Sequence, residues 1–203
     1  MNRAMREASN FCREHNIKRI IYLSSDEIYG KLNTDMVTSD AIMVNPNHYA
    51  ATKYLAEKII MESKIPYYIL RLPGIVGRIW GRNFIYSLLD RIKNNERIEL
   101  YNMNKEFNNI VDIDDLTQFI AILCNYIDNG KNEIFLLGNT ECVKLADIVS
   151  YMKTIYHSIS VINNVDMEQR RYFTLDVTMA VQYGYRSKNI RTIIDELSRI
   201  QER

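Results

Sequence analysis

Tyr49 and Lys53 stand four residues apart in the stretch NPNHYAATKYLAEKII. On a helix that spacing puts both side chains on one face. A lysine ammonium beside a phenol favours the phenolate, and a phenolate is a usable general base toward a sugar hydroxyl. A second chemical cluster lies upstream in KRIIYLSSDEIYG, where the apolar run Ile20 to Leu23 stops at Ser24, Ser25, Asp26 and Glu27. A strand that turns needs one or two polar residues, not two hydroxyls followed by two acids. Adjacent carboxylates in a crevice can hold different protonation states, which proton-transfer chemistry uses. The Tyr-x-x-x-Lys spacing recurs at Tyr54 with Lys58 and at Tyr101 with Lys105. Spacing alone therefore selects none of the three, and the plain alternative for each is a half-buried tyrosine beside a surface lysine.

The elements that would position these groups follow from periodicity. Residues 1–15 read as a helix, with Ala4, Met5, Ala8, Phe11 and Cys12 at helical spacing. Ile17 to Leu23 reads as a β-branched, aromatic strand. Residues 31–45 are polar and loop-like. Asn45 is the expected N-cap, with Pro46 in the first turn, of a helix running to about Ser63. A second strand, PYYIL, ends at Arg71-Leu72-Pro73-Gly74. A helix over 82–94, strands at Ile98 to Tyr101 and Asn109 to Val111, and a helix from Asp114 to Tyr126 follow. A strand at Glu133 to Leu137, a helix at Leu145 to Tyr156, a strand at Ser160 to Val165 and a last helix from about Ile190 complete the pattern. Strands and helices alternate, and the strands are uninterrupted apolar runs. That is an α/β fold with a parallel sheet covered on both faces. Ligands in such sheets sit at the carboxyl ends of strands, so Ser24 to Glu27 and Arg71 to Gly74 would line one crevice.

Composition narrows the classes. The chain of 203 residues is 47% hydrophobic and carries 26 Lys+Arg against 25 Asp+Glu. Balanced charge without a basic run argues against nucleic acid or an anionic membrane as partners. The longest apolar stretch, around Phe119 to Cys124, is too short to span a bilayer, and MNRAMREASN lacks an apolar signal core. Three scattered cysteines, Cys12, Cys124 and Cys142, fit a reducing cytoplasm and show no metal-ligand spacing.

Context separates the three Tyr-x-x-x-Lys pairs. Tyr49 lies 24 residues after Ser25, on the helix that follows the serine-rich strand end. That arrangement resembles the extended short-chain dehydrogenase/reductase family, the NAD(P)-dependent epimerases and dehydratases of nucleotide sugars, over almost the whole chain. SSDEIYG resembles its Ser-Ser/Thr-x-x-Val-Tyr-Gly segment and PNHYAATKYLAE its Pro-x-x-x-Tyr-x-x-x-Lys helix. ILRLPGIVG resembles the Arg-x-x-x-x-x-Gly segment after its sixth strand, and NNIVDIDDL its Val-His-Val-x-Asp-Val segment. Four motifs in order are far more specific than one.

The resemblance implies the C-terminal part of a Rossmann-type doubly wound parallel sheet plus a small α/β substrate-binding lobe. Residues 1–75 would form part of the NAD(P)-binding domain. Residues 76–203 would be mainly the substrate lobe, with a returning strand and helix near 110–138. Tyr49 would take the sugar-hydroxyl proton, Lys53 would hold the nicotinamide ribose, and Ser25 would hydrogen-bond the same sugar oxygen. Ser24, Leu72 and Pro73 would flank the NAD or NADP nicotinamide, while Gly74, Asn83 and Phe84 would face the nucleotide-sugar. Asp26 and Glu27 match the acid and base positions of sugar 4,6-dehydratases. A 4-keto-sugar reductase would not need Glu27. The family uses no metal, so Asp114 is expected as the N-cap of its helix rather than as a ligand.

The departures matter as much. The family opens with a strand and a Gly-x-x-Gly-x-x-Gly turn that holds the pyrophosphate, and none of the seven glycines here stands in that pattern. Roughly a hundred residues, carrying the first four strands, are expected to be missing. A truncated, non-catalytic remnant or partner-binding module therefore stands as the alternative. The partners expected are a second copy, through helices 1–15 and 46–63, or a separate N-terminal half. Gly74 stands where many nucleotide-sugar enzymes carry Asn, and by itself reads as a turn glycine after Pro73.

Overall fold

The computed structural model of the chain describes residues 2–79, 81–126, 130–165 and 172–201. Helix α1 (Asn2–Glu14) leads into strand β1 (Ile20–Ser25) and a 3-10 turn, Asp26–Tyr29. Strand β2 (Asn33–Val37), helix α2 (His48–Glu62), and strands β3 (Tyr67–Leu72) and β4 (Gly74–Val76) follow. Next come α3 (Phe84–Lys93), β5 (Ile98–Tyr101), β6 (Glu106–Phe107), β7 (Ile110–Asp112) and α4 (Ile113–Cys124). The chain continues through β8 (Glu133–Leu136), β9 (Val143–Lys144), α5 (Leu145–Ile155), β10 (Ile162–Val165) and β11 (Tyr172–Leu175), and then α6 (Thr178–Gln182) and α7 (Ile190–Gln201).

The main sheet has the order β1-β3-β8, all parallel, with Ile20 to Ser25 in register with Tyr67 to Leu72 and Tyr68 to Arg71 with Glu133 to Leu136. Its centre strand β3 is buried from Tyr68 to Leu72, as a strand covered on both faces must be. Tyr68 and Leu70 join Phe119, Phe135 and Tyr185 in one core, where the rings meet edge to face (Phe119 to Phe135, 5.4 Å between centroids). A second core lies between α3, α5 and α7, around Leu89, Ile92, Met152 and Ile194. Ile28, Tyr29, Val37 and Phe173 form a third, under the 3-10 turn.

Among the described residues β1 pairs with β3 alone. The Ile20 amide donates to Pro66 O. Ile20, Tyr22 and Ser24 therefore turn their backbone groups toward β3, and Ile21, Leu23 and Ser25 turn theirs toward an open edge.

Several sequence expectations shift. β1 begins three residues later than the expected strand, Ile17 to Leu23, and takes in both serines, because pairing with β3 continues through Ser24↔Arg71 and Ser25↔Leu72. The stretch 31–45 is not only loop. It holds β2, which pairs with β11, a strand the periodicity did not reveal. Asn45 does not cap α2: its φ is +47°, in the left-handed region. Asn47 caps instead, accepting from Ala50 N, so Pro46 lies before the helix. Asp112 rather than Asp114 caps α4, through Asp114 N, and Asp114 and Asp115 sit in the first turn, where the helix dipole favours acids. Gly74 is not a turn glycine. It opens β4, paired with Ile110 of β7.

One glycine is fixed by geometry. Gly30 closes the 3-10 turn at φ +63° and ψ −124°, and a Cβ there would lie 2.1 Å from the Val44 carbonyl oxygen. Gly130, at φ +70°, has nothing within 4 Å of that position. Gly30→Ala should therefore lower stability by more than about 2 kcal/mol, and Gly130→Ala by only about 1 kcal/mol. Urea denaturation of both variants checks the contrast.

Candidate active site

The site is built around a buried ion pair. Glu57, on the inner face of α2, is wholly buried. Its carboxylate accepts from Arg71 Nη2 at 2.8 Å, from Arg71 Nε at 3.2 Å and from the Ser24 hydroxyl. The other arm of Arg71 donates to the Tyr29 hydroxyl at 2.8 Å and to the Ser39 carbonyl, and Tyr29 donates onward to Thr38 O at 3.0 Å. Five segments meet here: the end of β1, the 3-10 turn, the loop after β2, α2 and β3. Burial alone would lower the Arg71 pKa, but the hydrogen bonds and charge of Glu57 outweigh it and hold it above its ordinary value. Burial pushes Tyr29 up to about 12, against the opposing pull of Arg71.

Tyr49 and Lys53 ride on the same helix, about two turns and one turn before Glu57. Tyr49 is half-exposed, at 51%. The Lys53 ammonium lies 5.8 Å from the Tyr49 ring centroid and 5.2 Å from that of Tyr22. It donates to Leu23 O at 2.9 Å, on the open edge of β1. Burial lowers the Lys53 pKa, and the charge of Glu57 opposes the shift. Ser25 accepts from Glu27 N at 3.2 Å and so caps the 3-10 turn, leaving its hydroxyl proton to donate. Ser24 is turned inward, to Glu57.

A cavity of about 320 Å³ opens beside these groups. Asp26 and Glu27, Pro73 and Gly74, and Asn83 and Phe84 line it, from the ends of β1 and β3 and the start of α3. Tyr101, Lys105, Glu106, Phe107 and Tyr172 are among the residues of the remaining wall. Phe84 and Phe107 stand 6.2 Å apart. The Lys105 ammonium lies 5.1 Å from the Tyr172 ring centroid and 3.7 Å from Asp35. Asn83 caps α3, accepting from Ile85 N and Tyr86 N and donating to Ile75 O, so its amide is largely committed to structure.

The structure thus gathers six of the expected residues around one space. Ser24, Ser25, Tyr49, Lys53 and the buried Leu72 lie outside that lining. The helix that carries Tyr49 and Lys53 is tied to the cavity wall through its N-cap, Asn47, whose side-chain amide donates to Glu27 Oε2 at 3.4 Å. Sequence reasoning missed Tyr101, Lys105, Glu106, Phe107 and Tyr172. One signal was present, the second Tyr-x-x-x-Lys at Tyr101 and Lys105. It sits on a strand and the turn after it, so its helical meaning is lost. The third pair, Tyr54 and Lys58, is a cation–π contact at 4.9 Å. Asp112 and Asp114 are held by the Lys188 ammonium, at 3.1 and 3.6 Å. Asp115 accepts from Lys188 N at 2.8 Å.

The model of the family described as "NAD dependent epimerase/dehydratase family" matches residues 3–138. The curated dTDP-D-glucose 4,6-dehydratase of Dictyostelium discoideum is 25% identical over 128 residues, which are 55% of this chain and 30% of that protein. UDP-glucuronic acid 4-epimerase from Bacillus cereus, solved in complex with NAD, superposes with TM-score 0.81 at 17% identity, over 98% of this chain and 66% of its own. MoeE5, solved with UDP-glucose and NAD, gives 0.78 at 17% identity, over 98% and 70%. WbmG from Bordetella bronchiseptica, solved with NAD and UDP, gives 0.79 at 16% identity, over 98% and 64%. At these identities the solved structures establish a shared fold. The chain spans under a third of the curated relative and about two thirds of these structures.

Two outcomes follow from the buried network. Glu57→Ala leaves a buried guanidinium without its counter-charge and should cost about 3–5 kcal/mol in urea denaturation, whereas Glu57→Leu with Arg71→Met should cost less than the two single changes summed. Burial, with the charge of Glu57, pushes the Tyr22 phenol from 10.0 to about 12. Its contribution to stability is therefore complete below pH 10 and is lost as pH rises through 12. Tyr22→Phe should make the decline in stability over that window shallower.

Proposed function

The chain belongs to the NAD dependent epimerase/dehydratase family, and from that premise we propose that it carries the sugar-binding and proton-transfer part of an NAD(P)-dependent enzyme acting on a nucleotide-linked sugar. The observation that carries this reading is the placement of the paired carboxylates Asp26 and Glu27 on the cavity wall at the carboxyl end of β1. Tyr49 and Lys53 stand beside that same strand end.

In this reading Tyr49 takes the proton of a sugar hydroxyl, and Ser25 donates its hydroxyl proton to the same oxygen. A nicotinamide dinucleotide held here would supply the acceptor for the hydride that leaves the sugar carbon. Lys53 fits its ribose, with a partly exposed ammonium poised at the open edge of β1, while Leu72 and Pro73 back the nicotinamide side. The pyrophosphate end finds no fit, because no glycine-rich turn lies within these 203 residues. The groups that hold it would come from outside them, and the open edge of β1 is the natural place for such a segment to pair. That segment would be the separate N-terminal half. Self-association through α1 and α2 is the other arrangement proposed. Residues 1–75, with the returning stretch 110–138, form the cofactor side, and the rest of 76–203 the substrate lobe.

The second carboxylate favours water loss over simple reduction. One of Asp26 and Glu27 removes a proton from the carbon next to the oxidised centre, and the other protonates the departing hydroxyl, which leaves as water.

Titration with NADH and NADPH, following nicotinamide fluorescence, tests the reading. Saturable binding is expected, and should be at least about tenfold weaker in the Tyr49→Phe/Lys53→Ala double variant, a loss of about 1.4 kcal/mol. With dinucleotide and nucleotide-sugar supplied, Tyr49→Phe should lower turnover about 10²–10⁴-fold. Turnover that is indifferent to Tyr49 would sink the proposal.

A further inference from the structure

Charge is unevenly distributed over the cavity wall. Asp26, Glu27 and Glu106 bring carboxylates to its lining, and Lys105 brings an ammonium. The two acids that follow β1 share their wall with Pro73 and Gly74. Lys105 belongs to the turn between β5 and β6, beside the ring of Tyr172 and near the Phe84–Phe107 pair. A ligand that carries a phosphate therefore meets an ammonium and aromatic faces on the lobe side. That ammonium's partner, Asp35, is 95% exposed and 3.7 Å away, a pair weak enough for a phosphate to displace. The reactive sugar faces the acids, because Tyr49 and Lys53 flank that strand end and Asn47 joins α2 to Glu27.

We infer that this site selects a neutral sugar and rejects one bearing a carboxylate, with Glu27 and Asp26 as the determinants. The inference rests on the reading above and deepens it. A uronic acid would bring another carboxylate to the wall that holds Glu27 and the buried Asp26, at least one of which is ionised in the reading above. Like charges at such a distance repel strongly where screening is poor, and repulsion of this kind discriminates between partners that otherwise fit equally well. A neutral hexose instead offers hydroxyls, which donate to an ionised carboxylate and accept from a protonated one.

The test is calorimetric, on the whole chain, with UDP, UDP-glucose and UDP-glucuronic acid. Glucose 1-phosphate against glucuronic acid 1-phosphate repeats the comparison without a nucleobase. The neutral member of each pair should bind at least tenfold more tightly, or about 1.4 kcal/mol. Glu27→Gln should shrink that preference severalfold while leaving UDP affinity unchanged, which also shows that the variant is folded. Asp26→Asn should act in the same direction. Equal affinity for neutral and acidic sugars, or a preference untouched by both variants, would overturn the inference while leaving the nucleotide-sugar reading intact. If none of the nucleotides or sugar phosphates binds, both fall together.

Discussion

A buried carboxylate meeting a buried guanidinium is the constraint on which the rest of this site depends. Glu57 and Arg71 have both left water, which is costly unless each is fully paired. The pairing is thorough: Arg71 bridges Glu57, Tyr29 and Ser39, while Glu57 also takes the Ser24 hydroxyl. No member can move far without stranding a buried charge. Helix α2 is therefore locked to the end of β1, and the 3-10 turn that carries Asp26 and Glu27 is locked to β3. The chemistry-bearing residues sit on the borders of this network rather than in it, which leaves them accessible yet positioned.

The open edge of β1 shapes the other side. Leu23 presents its carbonyl there, and Lys53 covers it. A lysine of this kind has two tasks in the proposed reading, since the ammonium that satisfies an edge carbonyl is also the group that would hold a ribose. The cavity is less exposed to that ambiguity. Neither Leu23 nor Lys53 is among the residues that line it.

Lobe and sheet meet through connections that are short in space and long in sequence. Thr174 of β11 donates to Asp35 O in β2, 139 residues away. Buried Asn108 joins Leu175 at 2.9 Å through both its amide nitrogen and its oxygen. These contacts place Tyr172 and Phe173 on the cavity wall. Without them the aromatic side of the site would have no fixed position relative to Asp26 and Glu27.

The sequence by itself determined the class of fold, the main strands and helices, and the motifs around Ser25, Tyr49 and Lys53. Those signals are local: apolar runs specify buried parallel strands, and three- to four-residue spacing specifies a helical face. It also marked Asp26, Glu27, Pro73 and Gly74 at strand ends, where parallel sheets bind ligands, while Asn83 and Phe84 came from the family resemblance alone. Sequence context already singled out Tyr49 with Lys53 among the three Tyr-x-x-x-Lys pairs, and the tertiary structure seats Lys53 on the Leu23 carbonyl. The tertiary structure alone paired polar β2 with β11, committed Asn83 to capping, turned Ser24 inward and brought Lys105, Phe107 and Tyr172 to the cavity. The physical reason is the same in each case. A side chain's partner across a parallel crossover is set by register and by packing between distant segments, and neither leaves a period in the sequence.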